Sequence, residues 1–475
     1  MVWLITFSPT HTSSQPPSKA QMQAAVFNAR SAADDWSSVS CWDRGAILRE
    51  MASILRHHAT DLCEMEALDT GIPLAQIEIN HIASAIATLE YYASLIQPGL
   101  PGRILDTPHA GGHPDSFAYT RREPLGVCLG IGAWNYPLLG MIWKVAPALA
   151  CGNAMIFKPS ECTPLTALKA AELFADVLPR SVLQVLPGCA DVAQELLASD
   201  GIDKVSVTGS LATGKRVAEQ ASQRLQRVTL ELGGKSPLIV FADADMESVV
   251  RVVADGNFIN NGQVCSNCTR LYVERSCLDK LITLLTAFLK NRVVLGDNMS
   301  RSTTMGPLMK HPLIPSQHFD RVTGFIERAM EDTRVHLLIG GGHYQSPEGG
   351  YFVEPTVFLA ESDDAEIVRE EVFGPVMTIL PFDTEMEAVK RANTSKFGLA
   401  AGVMTNDVMR AHRVVKKLQA GTVWINHWNL SPLEMPFGPY KQSGYGKELG
   451  MESLDQYSQV KTVYMEMGVV PDSNL

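Results

Sequence analysis

The chain has 475 residues, of which 46% are hydrophobic and 19% charged, so it has the composition of a globular protein and the length for several domains. Its formal net charge is −11 and it has no long basic run, which argues against nucleic acid as a partner because phosphate neutralisation needs clustered Lys and Arg. No apolar run approaches the roughly 20 residues that span a bilayer, so we expect no membrane partner.

The N-terminus and the cysteines indicate the compartment. The segment MVWLITFSPTHTSSQPPS has no Lys or Arg before its short apolar patch, unlike a secretory signal peptide. A transit peptide would need Arg, and the first Arg of the chain is Arg30. The nine cysteines are odd in number and thinly scattered, which is not typical of a disulfide framework. We therefore expect a soluble, cytoplasmic protein.

The first hundred residues predict mostly helices. Over residues 19–100, apolar residues recur at helical spacing, as in AILREMASILRHHATDLCEMEAL. The Gly- and Pro-rich stretch GLPGRILDTPHAGGHPDS (99–116) then predicts a loop. After it, FAYTRREPLGV (117–127) predicts a strand or a hairpin.

Residues 127–241 change to short apolar runs separated by segments of helical length. The runs are VCLGIG, NAMIFK, VLQVLP, KVSVTG and LIVFAD. Strands that alternate with helices predict βαβ units and a parallel sheet, and ligands bind at the carboxyl ends of such strands. A second alternation, from about 234 to 442, includes RLYVERS, TTMGPLM, VMTILPF and GTVWIN.

Two glycine-rich segments leave nucleotide binding open. GSLATGKR (209–216) approaches the P-loop pattern, but Arg216 stands where a hydroxyl must hold Mg²⁺, and GIGAWN (130–135) does not complete GxGxxG. A helix that begins after KVSVTG would still offer free N–H groups to a phosphate. Each segment fits a plain strand-to-helix turn equally well.

Two strand ends carry candidate functional charges. In FKPSE, Lys158 and Glu161 would either hydrogen-bond a ribose diol or form an exposed ion pair. In TLELGGKSP, Glu231 lies between two leucines just before paired glycines. Burial would raise its pKa, which suits a general base, whereas the alternative is a surface Glu at the strand end.

The segment NNGQVCSNCTR (260–270) holds Cys265 and Cys268. A zinc site needs a second pair of Cys or His at metal spacing, but Cys277 stands alone and the nearest downstream His is His311. A thioredoxin-like motif would follow the first strand of a small domain instead. A nucleophile fits better, because the polar turn before Cys265 should lower the pKa of its thiol and raise the thiolate content.

LELGGKSP, with NNGQVC about thirty residues later, resembles the aldehyde dehydrogenase superfamily, and the resemblance covers roughly residues 20–468. GAWNYP, FKPSE, VTGS, EEVFGPV and PFGPYKQSG resemble further segments of the family in the same order. YTRREPLGVC, GQVCSN, SPLEMPFG and YSQVKTVYMEMG are most similar to the 4-trimethylaminobutyraldehyde and betaine aldehyde dehydrogenases. Cys268 and Pro439 depart from the pattern, because glycine is usual at both positions.

The resemblance implies a role for each matched residue. Cys265 would attack the aldehyde carbon, Asn135 would hold the oxyanion, and Glu231 would activate water to hydrolyse the thioester. NAD would accept the hydride and would be held by Lys158, Glu161, Gly209, Ser210, Gly214, Trp134, Glu371 and Phe373. The Glu161 carboxylate should favour NAD over NADP, because it would repel a 2′-phosphate.

Three aromatic residues beside these segments suggest the substrate. They are Tyr136, Trp143 and Trp428, and the spacing of seven between the first two predicts that they share a helix face. Aromatic faces bind quaternary ammonium groups, so we expect an aminoaldehyde such as 4-trimethylaminobutyraldehyde, which would place the chain in carnitine biosynthesis. The alternative is an apolar tunnel for aliphatic or aromatic aldehydes.

The implied fold class is α/β, with three parts. They are a Rossmann-type NAD domain (1–105 and 125–233), an α/β catalytic domain (234–442) and a small β oligomerisation element (106–124 and 456–468). The resemblance implies a homotetramer or homodimer and no metal. Two rival functions are a catalytically silent binding relative, which the three catalytic residues argue against, and a CoA-acylating enzyme, which Glu231 argues against.

Overall fold

The computed structural model describes residues 16–107, 113–308, 315–345 and 350–468. The first part is helical, as predicted. Its helices are α1 (Lys19–Ser38), α2 (Cys41–His57), α3 (Ala59–Thr70), α4 (Leu74–Ile77) and α5 (Ala83–Leu95), with a π-helical turn (Glu78–Ile82) between the last two. Ser18 begins α1 with a capping box, since its hydroxyl accepts from the Gln21 N–H while the Gln21 side chain accepts from the Ser18 N–H.

The remaining helices and the strands alternate along the chain. The helices are α6 (Pro137–Ala150), α7 (Leu165–Phe174), α8 (Ala190–Leu197), α9 (Leu211–Ser222), α10 (Met246–Phe258), α11 (Leu278–Arg292), α12 (Pro315–Glu331), α13 (Glu366–Arg369), α14 (Glu385–Asn393), α15 (Val408–Val415) and α16 (Glu452–Gln456), with 3₁₀ turns at Ile259–Gly262 and Arg275–Cys277. The strands are β1 (Arg103–Asp106), β2 (Phe117–Pro124), β3 (Val127–Ile131), β4 (Ala154–Lys158), β5 (Leu183–Val185), β6 (Lys204–Thr208), β7 (Arg227–Glu231), β8 (Pro237–Val240), β9 (Arg270–Glu274), β10 (Val335–Ile339), β11 (His343–Gln345), β12 (Tyr351–Val353), β13 (Thr356–Ala360), β14 (Val376–Phe382), β15 (Phe397–Gly398), β16 (Ala400–Met404), β17 (Thr422–Ile425), β18 (Tyr440–Lys441), β19 (Gly444–Tyr445) and β20 (Ser458–Met465).

The first large sheet is a doubly wound, Rossmann-like sheet. Its order is β19-β7-β6-β3-β4-β5, and the five strands from β7 to β5 are parallel. Helices α6 to α9 connect these strands, which confirms the predicted βαβ units. The order reverses between β3 and β6, and the carboxyl ends of strands at such a reversal form a ligand-binding crevice.

The second large sheet has the order β10-β13-β14-β9-β8-β16-β17, and its strands are parallel except for β10. The predicted strands RLYVERS, VMTILPF and GTVWIN are confirmed as β9, β14 and β17. The strand predicted in TTMGPLM is wrong, because only isolated bridges occur there, at Met305 and Leu308. Gly306 instead donates its N–H to the Asn261 side chain, and a Cβ on it would lie 2.1 Å from the Gly71 carbonyl oxygen.

A third, three-stranded sheet has the order β1-β2-β20 and is antiparallel. The pairing of β2 with β20 runs the full length of both strands, from Phe117 with Met465 to Pro124 with Ser458. Strand β1 lies within the stretch 99–116, where a loop was predicted, so that prediction is wrong for Arg103–Asp106. Strand β1 forms because β2 supplies hydrogen-bond partners for its backbone. The Gly and Pro content of the stretch 99–116 gives no signal of this pairing.

A short segment joins the two large sheets. Strand β7 ends at Glu231, and the segment Leu232–Ser236 leads directly to Pro237 at the start of β8. The loops before β9 and β14 lie against this segment, because a Cβ on Gly234 would lie 2.4 Å from the Cys265 carbonyl oxygen and the Gly234 N–H donates to Glu371. Within the part of the chain that the structure describes, no helix is both long and apolar enough to cross a membrane.

Candidate active site

The turn before Cys265 has an unusual backbone. Asn260 and Asn261 have φ angles of 58° and 55°, and Gly262 has a φ of 74°. Asn is the non-glycine residue that best tolerates this left-handed region. A Cβ on Gly262 would also lie 2.3 Å from the carbonyl carbon of Gly374, so only glycine fits there. The sequence NNG thus forms a tight turn that holds Cys265 in front of β9.

The paired glycines after Glu231 lie against this turn. A Cβ on Gly234 would lie 2.4 Å from the Cys265 carbonyl oxygen, so the glycine allows the two segments to touch. The Gly234 N–H also donates to Glu371 Oε1 at 3.0 Å. The segments LELGGKSP, GQVC and EEVFGPV therefore come together at one place.

Cys265 is half-buried, and the pKa of its thiol is raised to about 12. Burial is the main cause, and the carboxylates of Glu371 and Glu231 add to it, while the N–H groups of Cys265 and Ser266 act in the opposite direction. The prediction of a lowered thiol pKa at this turn is therefore wrong. Loss of water and two nearby negative charges outweigh the favourable backbone dipoles.

Cys268 is fully buried in the core of the second sheet. Its Sγ accepts a hydrogen bond from Asn257 Nδ2 at 3.1 Å, and a Cβ on Gly256 would lie 2.6 Å from it. Burial raises the pKa of this thiol to about 12 as well. Access to solvent, rather than acidity, distinguishes the two cysteines.

Asn135 reaches the same turn from the first sheet. It follows β3 and is buried, and its Nδ2 donates to the Gln263 carbonyl oxygen at 2.9 Å. One amide hydrogen of Asn135 thus holds the backbone two residues before Cys265, and the amide has a second hydrogen to donate.

Glu231 is buried, which excludes the alternative of a surface residue. Neither carboxylate oxygen has a hydrogen-bond partner among the described residues. Its pKa is raised well above 4.5, first by burial and then by the negative charge of Glu448, while Lys144 and Lys447 act to lower it. A carboxyl group with a raised pKa suits proton transfer near neutral pH.

The buried ion pair of Lys144 and Glu448 beside Glu231 was not predicted. Both side chains are almost wholly inaccessible. The sequence contains one signal of this pair, the single lysine in the apolar helix PLLGMIWKVAPALA, which is Lys144. A buried lysine requires a partner of opposite charge. The identity of that partner has no local signal, since Glu448 lies 304 residues further along the chain.

If Glu231 activates water to hydrolyse a thioester, as the resemblance implies, replacing Lys447 with glutamine should shift the pH dependence of this deacylation step to higher pH. Lys447 lowers the pKa of Glu231, so its removal raises that pKa and a higher pH is needed to ionise the base. The measurement is the deacylation rate from about pH 6 to 10. Lys416→Gln, at the exposed position that follows α15, is the control and should leave the profile unchanged. A shift to lower pH in Lys447→Gln would contradict the assignment.

The predicted dinucleotide residues lie along the carboxyl edge of the first sheet. Lys158 ends β4, and its buried Nζ donates to Glu161 Oε2 at 2.8 Å. Ser210 caps α9 by accepting from the Thr213 N–H, and a Cβ on Gly209 would meet no atom closer than 3.8 Å. The N-terminus of α9 and the Glu161 carboxylate after β4 have the chemistry to hold a phosphate and a ribose diol, respectively.

Gly214 has a packing role. A Cβ on Gly214 would lie 2.4 Å from Leu232 Cδ1, so glycine allows α9 to pack closely on the segment that follows Glu231. This contact fixes the N-terminal turn of α9 relative to the end of β7.

Two of the predicted cofactor residues, Trp134 and Phe373, belong to an aromatic cluster. Trp134 contacts Phe373 edge-on at 5.2 Å between ring centroids and His318 at 5.0 Å. Sequence reasoning missed His318, whose Nε2 is buried without a partner among the described residues. Burial lowers the pKa of His318 to about 4, so the ring is neutral. These groups and the α9 terminus together fit a dinucleotide that carries a nicotinamide ring.

The three predicted substrate residues have different surroundings. Tyr136 precedes α6 with a non-helical backbone, and its ring lies 4.3 Å from the His81 ring. Trp143 is half-buried and lies 5.8 Å from the Phe437 ring. The prediction that Tyr136 and Trp143 share one helix face rested on helical spacing. It does not apply, because Tyr136 lies before the first residue of α6. Trp428 is 3% exposed and belongs to the core of the second sheet.

The segment that contains Trp428 nevertheless contacts the turn that carries Cys265. A Cβ on Gly256 or on Gly402 would lie within 3.0 Å of its indole, and Trp424 packs against it at 5.0 Å. The next residue, Asn429, accepts a hydrogen bond from Ser266 Oγ at 2.7 Å. Trp428 thus supports the site mainly from within the core.

The described residues hold no group of three or more His, Cys, Asp or Glu side chains arranged to bind a metal. The site combines a thiol, a buried carboxyl group and an amide donor with a crevice for a dinucleotide. The model of the aldehyde dehydrogenase family matches residues 10–463.

The chain belongs to the aldehyde dehydrogenase family.

Relatives of this aldehyde dehydrogenase match over nearly the whole chain. The betaine aldehyde dehydrogenase of Brucella anthropi is 46% identical over 452 residues, which are 94% of this chain and 90% of that protein. The NAD⁺ complex of the aldehyde dehydrogenase from Bacillus cereus is 38% identical with a TM-score of 0.89, covering 95% of this chain and 90% of that one.

A third relative is the indole-3-acetaldehyde dehydrogenase of P. syringae in complex with NAD⁺. It is 35% identical with a TM-score of 0.90, covering 94% of this chain and 89% of that one. The predicted superfamily and the predicted α/β fold class are confirmed. This aldehyde dehydrogenase is an NAD-dependent oxidoreductase that oxidises aldehydes.

Proposed function

We propose that this aldehyde dehydrogenase oxidises an aminoaldehyde with a quaternary ammonium group, such as 4-trimethylaminobutyraldehyde, to the carboxylic acid. The observation that carries the proposal is the 46% identity to a betaine aldehyde dehydrogenase. Betaine aldehyde bears the same trimethylammonium group. Oxidation of 4-trimethylaminobutyraldehyde would place the enzyme in carnitine biosynthesis.

The residues around Trp143 support a cationic substrate. Its half-buried indole packs against Phe437, where the two large hydrophobic cores adjoin. Glu434, three residues before Phe437, is exposed. Burial raises the pKa of Tyr91, and the negative charge of Glu434 raises it further, so this carboxylate lies near that ring. A quaternary ammonium cannot donate N–H hydrogen bonds, so it is held by ring faces, each worth about 0.5–2 kcal/mol, and by a nearby negative charge.

Cys265 is the nucleophile in the proposed reaction. Its thiol first loses its proton to solvent water, and the thiolate sulfur then attacks the aldehyde carbon as the carbonyl π bond breaks. The oxyanion that forms is held by the second amide hydrogen of Asn135 and by the Cys265 N–H. Each such donor contributes about 3–4 kcal/mol to stabilisation of the transition state. Bound NAD supplies the acceptor for the hydride that leaves this carbon.

Glu231 serves the second half of the reaction. Its carboxylate takes a proton from water while the water oxygen attacks the thioester carbon, and the carbon–sulfur bond then breaks to release the acid and Cys265. Neither carboxylate oxygen has a hydrogen-bond partner among the described residues, so both have the capacity to accept from a bound water. Lys158, Glu161, Gly209, Ser210, Gly214, Trp134, Glu371 and Phe373 remain the proposed cofactor residues.

We also propose that the three-stranded sheet forms an oligomer contact and that the enzyme works in the cytoplasm. Ile104, Val460, Tyr464 and Met465 on this sheet are all more than 40% exposed, and such apolar side chains favour association. All nine cysteines are free, which suits a reducing compartment. A homotetramer and a homodimer are both compatible with this surface.

The substrate proposal predicts at least about a tenfold higher kcat/KM for 4-trimethylaminobutyraldehyde than for its uncharged isostere 5,5-dimethylhexanal, which corresponds to about 1.4 kcal/mol. Trp143→Leu should remove most of that preference while sparing the neutral aldehyde. Trp42→Leu, at an exposed position on α2, is the control. If the wild type prefers the neutral aldehyde, the enzyme is a general aliphatic or aromatic aldehyde dehydrogenase. If it oxidises neither, the substrate is an aldehyde of another class and the aminoaldehyde proposal fails.

A further inference from the structure

A buried Glu–His pair lies behind the candidate active site and has no role in the reaction described above. Glu66 on α3 and His81 in the π-helical turn both have fully inaccessible side chains, and Glu66 Oε1 lies 2.6 Å from His81 Nδ1. The other oxygen of Glu66 accepts from Thr166 Oγ1 at 2.7 Å and from the Leu138 N–H at 3.3 Å. Leu138 is in the first turn of α6, so Glu66 caps the helix that begins just after Asn135.

The second ring nitrogen of His81 reaches the turn that carries Cys265. His81 Nε2 lies 2.9 Å from Asn260 Oδ1. Asn260 Nδ2 lies within hydrogen-bonding distance of two carbonyl oxygens, that of Asn135 at 3.1 Å and that of Gln263 at 3.3 Å. The Asn260 N–H is held in turn by Gln76 Oε1 at 2.8 Å.

These contacts fix the hydrogen positions. Both hydrogens of the Asn260 amide nitrogen face carbonyl oxygens, so Oδ1 is the acceptor and His81 Nε2 must carry a hydrogen. One further proton is shared between His81 Nδ1 and Glu66 Oε1. The pair is neutral overall whichever atom holds that proton, which makes its complete burial tolerable.

The pair therefore acts on both sides of the reaction site. Through Glu66 it holds the helix that follows Asn135, and through Asn260 it holds the Asn135 carbonyl and the Gln263 carbonyl. The Gln263 carbonyl also accepts from Asn135 Nδ2. A shift of Asn260 would move the oxyanion donor and the turn before Cys265 relative to each other.

We propose that His81, oriented by Glu66, is a positioning residue that sets the geometry between Asn135 and Cys265 by holding the side-chain amide of Asn260. This inference rests on the proposed roles of Asn135 and Cys265. The competing interpretation is that Glu66 and His81 form a buried pair that only stabilises the fold.

Two substitutions of His81 separate these interpretations. Glutamine places an amide N–H near the position of Nε2 and can still donate to Asn260, whereas asparagine places one near Nδ1 and can still donate to Glu66. Each variant loses one of the two hydrogen bonds of the ring. A purely structural pair predicts similar losses of Tm and of activity for both.

The proposal predicts that the burst of NADH in the first turnover is slowed roughly 10- to 100-fold in His81→Asn and that His81→Gln recovers most of this rate, because a small misplacement of reacting groups is costly. The KM for NAD should be the same in both variants. Asn260→Asp keeps the acceptor for His81 but lacks both amide hydrogens, so its burst should be slowed as much as in His81→Asn. Equal burst rates in the two His81 variants would overturn the proposal.

Hydrogen–deuterium exchange tests the same contact without turnover. His81→Asn should increase deuterium uptake in a peptide covering residues 258–268, and His81→Gln should not. Equal uptake in both variants would also refute the positioning role. If the wild type shows no oxidation of any aldehyde but the exchange pattern is as expected, the proposed function fails while the contact through Asn260 stands.

Discussion

Replacing Cys265 with alanine should abolish aldehyde-dependent NADH formation, with a loss of at least about 10⁴-fold, as expected when a nucleophile is removed. Cys268→Ala should keep most of the activity. The pKa of each thiol is raised to about 12, so acidity does not select between them. Cys265 is half-buried at the meeting point of the two large sheets, whereas Cys268 is 0% exposed within the core.

Cys268→Ala is the matched control because it removes the same atom three residues away. Its expected effect is on stability, with a loss of about 1–3 kcal/mol, since it opens a small cavity and removes one partner of Asn257 Nδ2. That amide nitrogen keeps its bond to the Val253 carbonyl oxygen. Steady-state assays and thermal unfolding of both variants provide the comparison. Equal losses of activity would mean that the nucleophile has been assigned to the wrong cysteine.

The repeating parts of the fold were predictable from the sequence because their signals are local. Short apolar runs separated by helical segments predicted four strands of the first large sheet (β3, β4, β5 and β6) and four of the second (β8, β9, β14 and β17). A carboxylate between two leucines indicated the buried Glu231. The strand predicted in TTMGPLM failed because Gly306 is held by the Asn261 side chain instead of by a neighbouring strand. Strand β1 was missed because its hydrogen bonds to β2 stabilise it, and the Gly- and Pro-rich sequence around it has no local strand pattern.

The electrostatics of the site were less predictable, because they depend on residues that are distant in sequence. The turn before Cys265 suggested a lowered thiol pKa, but burial raises that pKa, and Glu371 and Glu231 raise it further by approaching from two other segments. His81 and Asn260 are 179 residues apart, and neither has a local pattern that points to the other. Residue types at the site were therefore predictable, while their charge states required the packed structure.

Replacing Glu231 with glutamine should separate the two halves of the reaction. The variant should still form NADH in a burst of one equivalent per active site and then stall, because a neutral amide cannot take the proton from the attacking water. We expect steady-state turnover to fall about 10²- to 10⁴-fold, as is usual when a general base is lost. Stopped-flow measurement of NADH gives the burst, and mass spectrometry should detect the acyl group on Cys265.

Stability measurements make this test independent of misfolding. The pKa of Glu231 is raised in the folded protein, so its ionisation opposes folding once the pH exceeds the ordinary pKa near 4.5. Glutamine carries no charge, and the variant should unfold at the same temperature as the wild type or higher at pH values above that point. Glu50→Gln, on the exposed face of α2, is the control and should change neither turnover nor Tm. Full steady-state turnover in Glu231→Gln would show that another group activates the water.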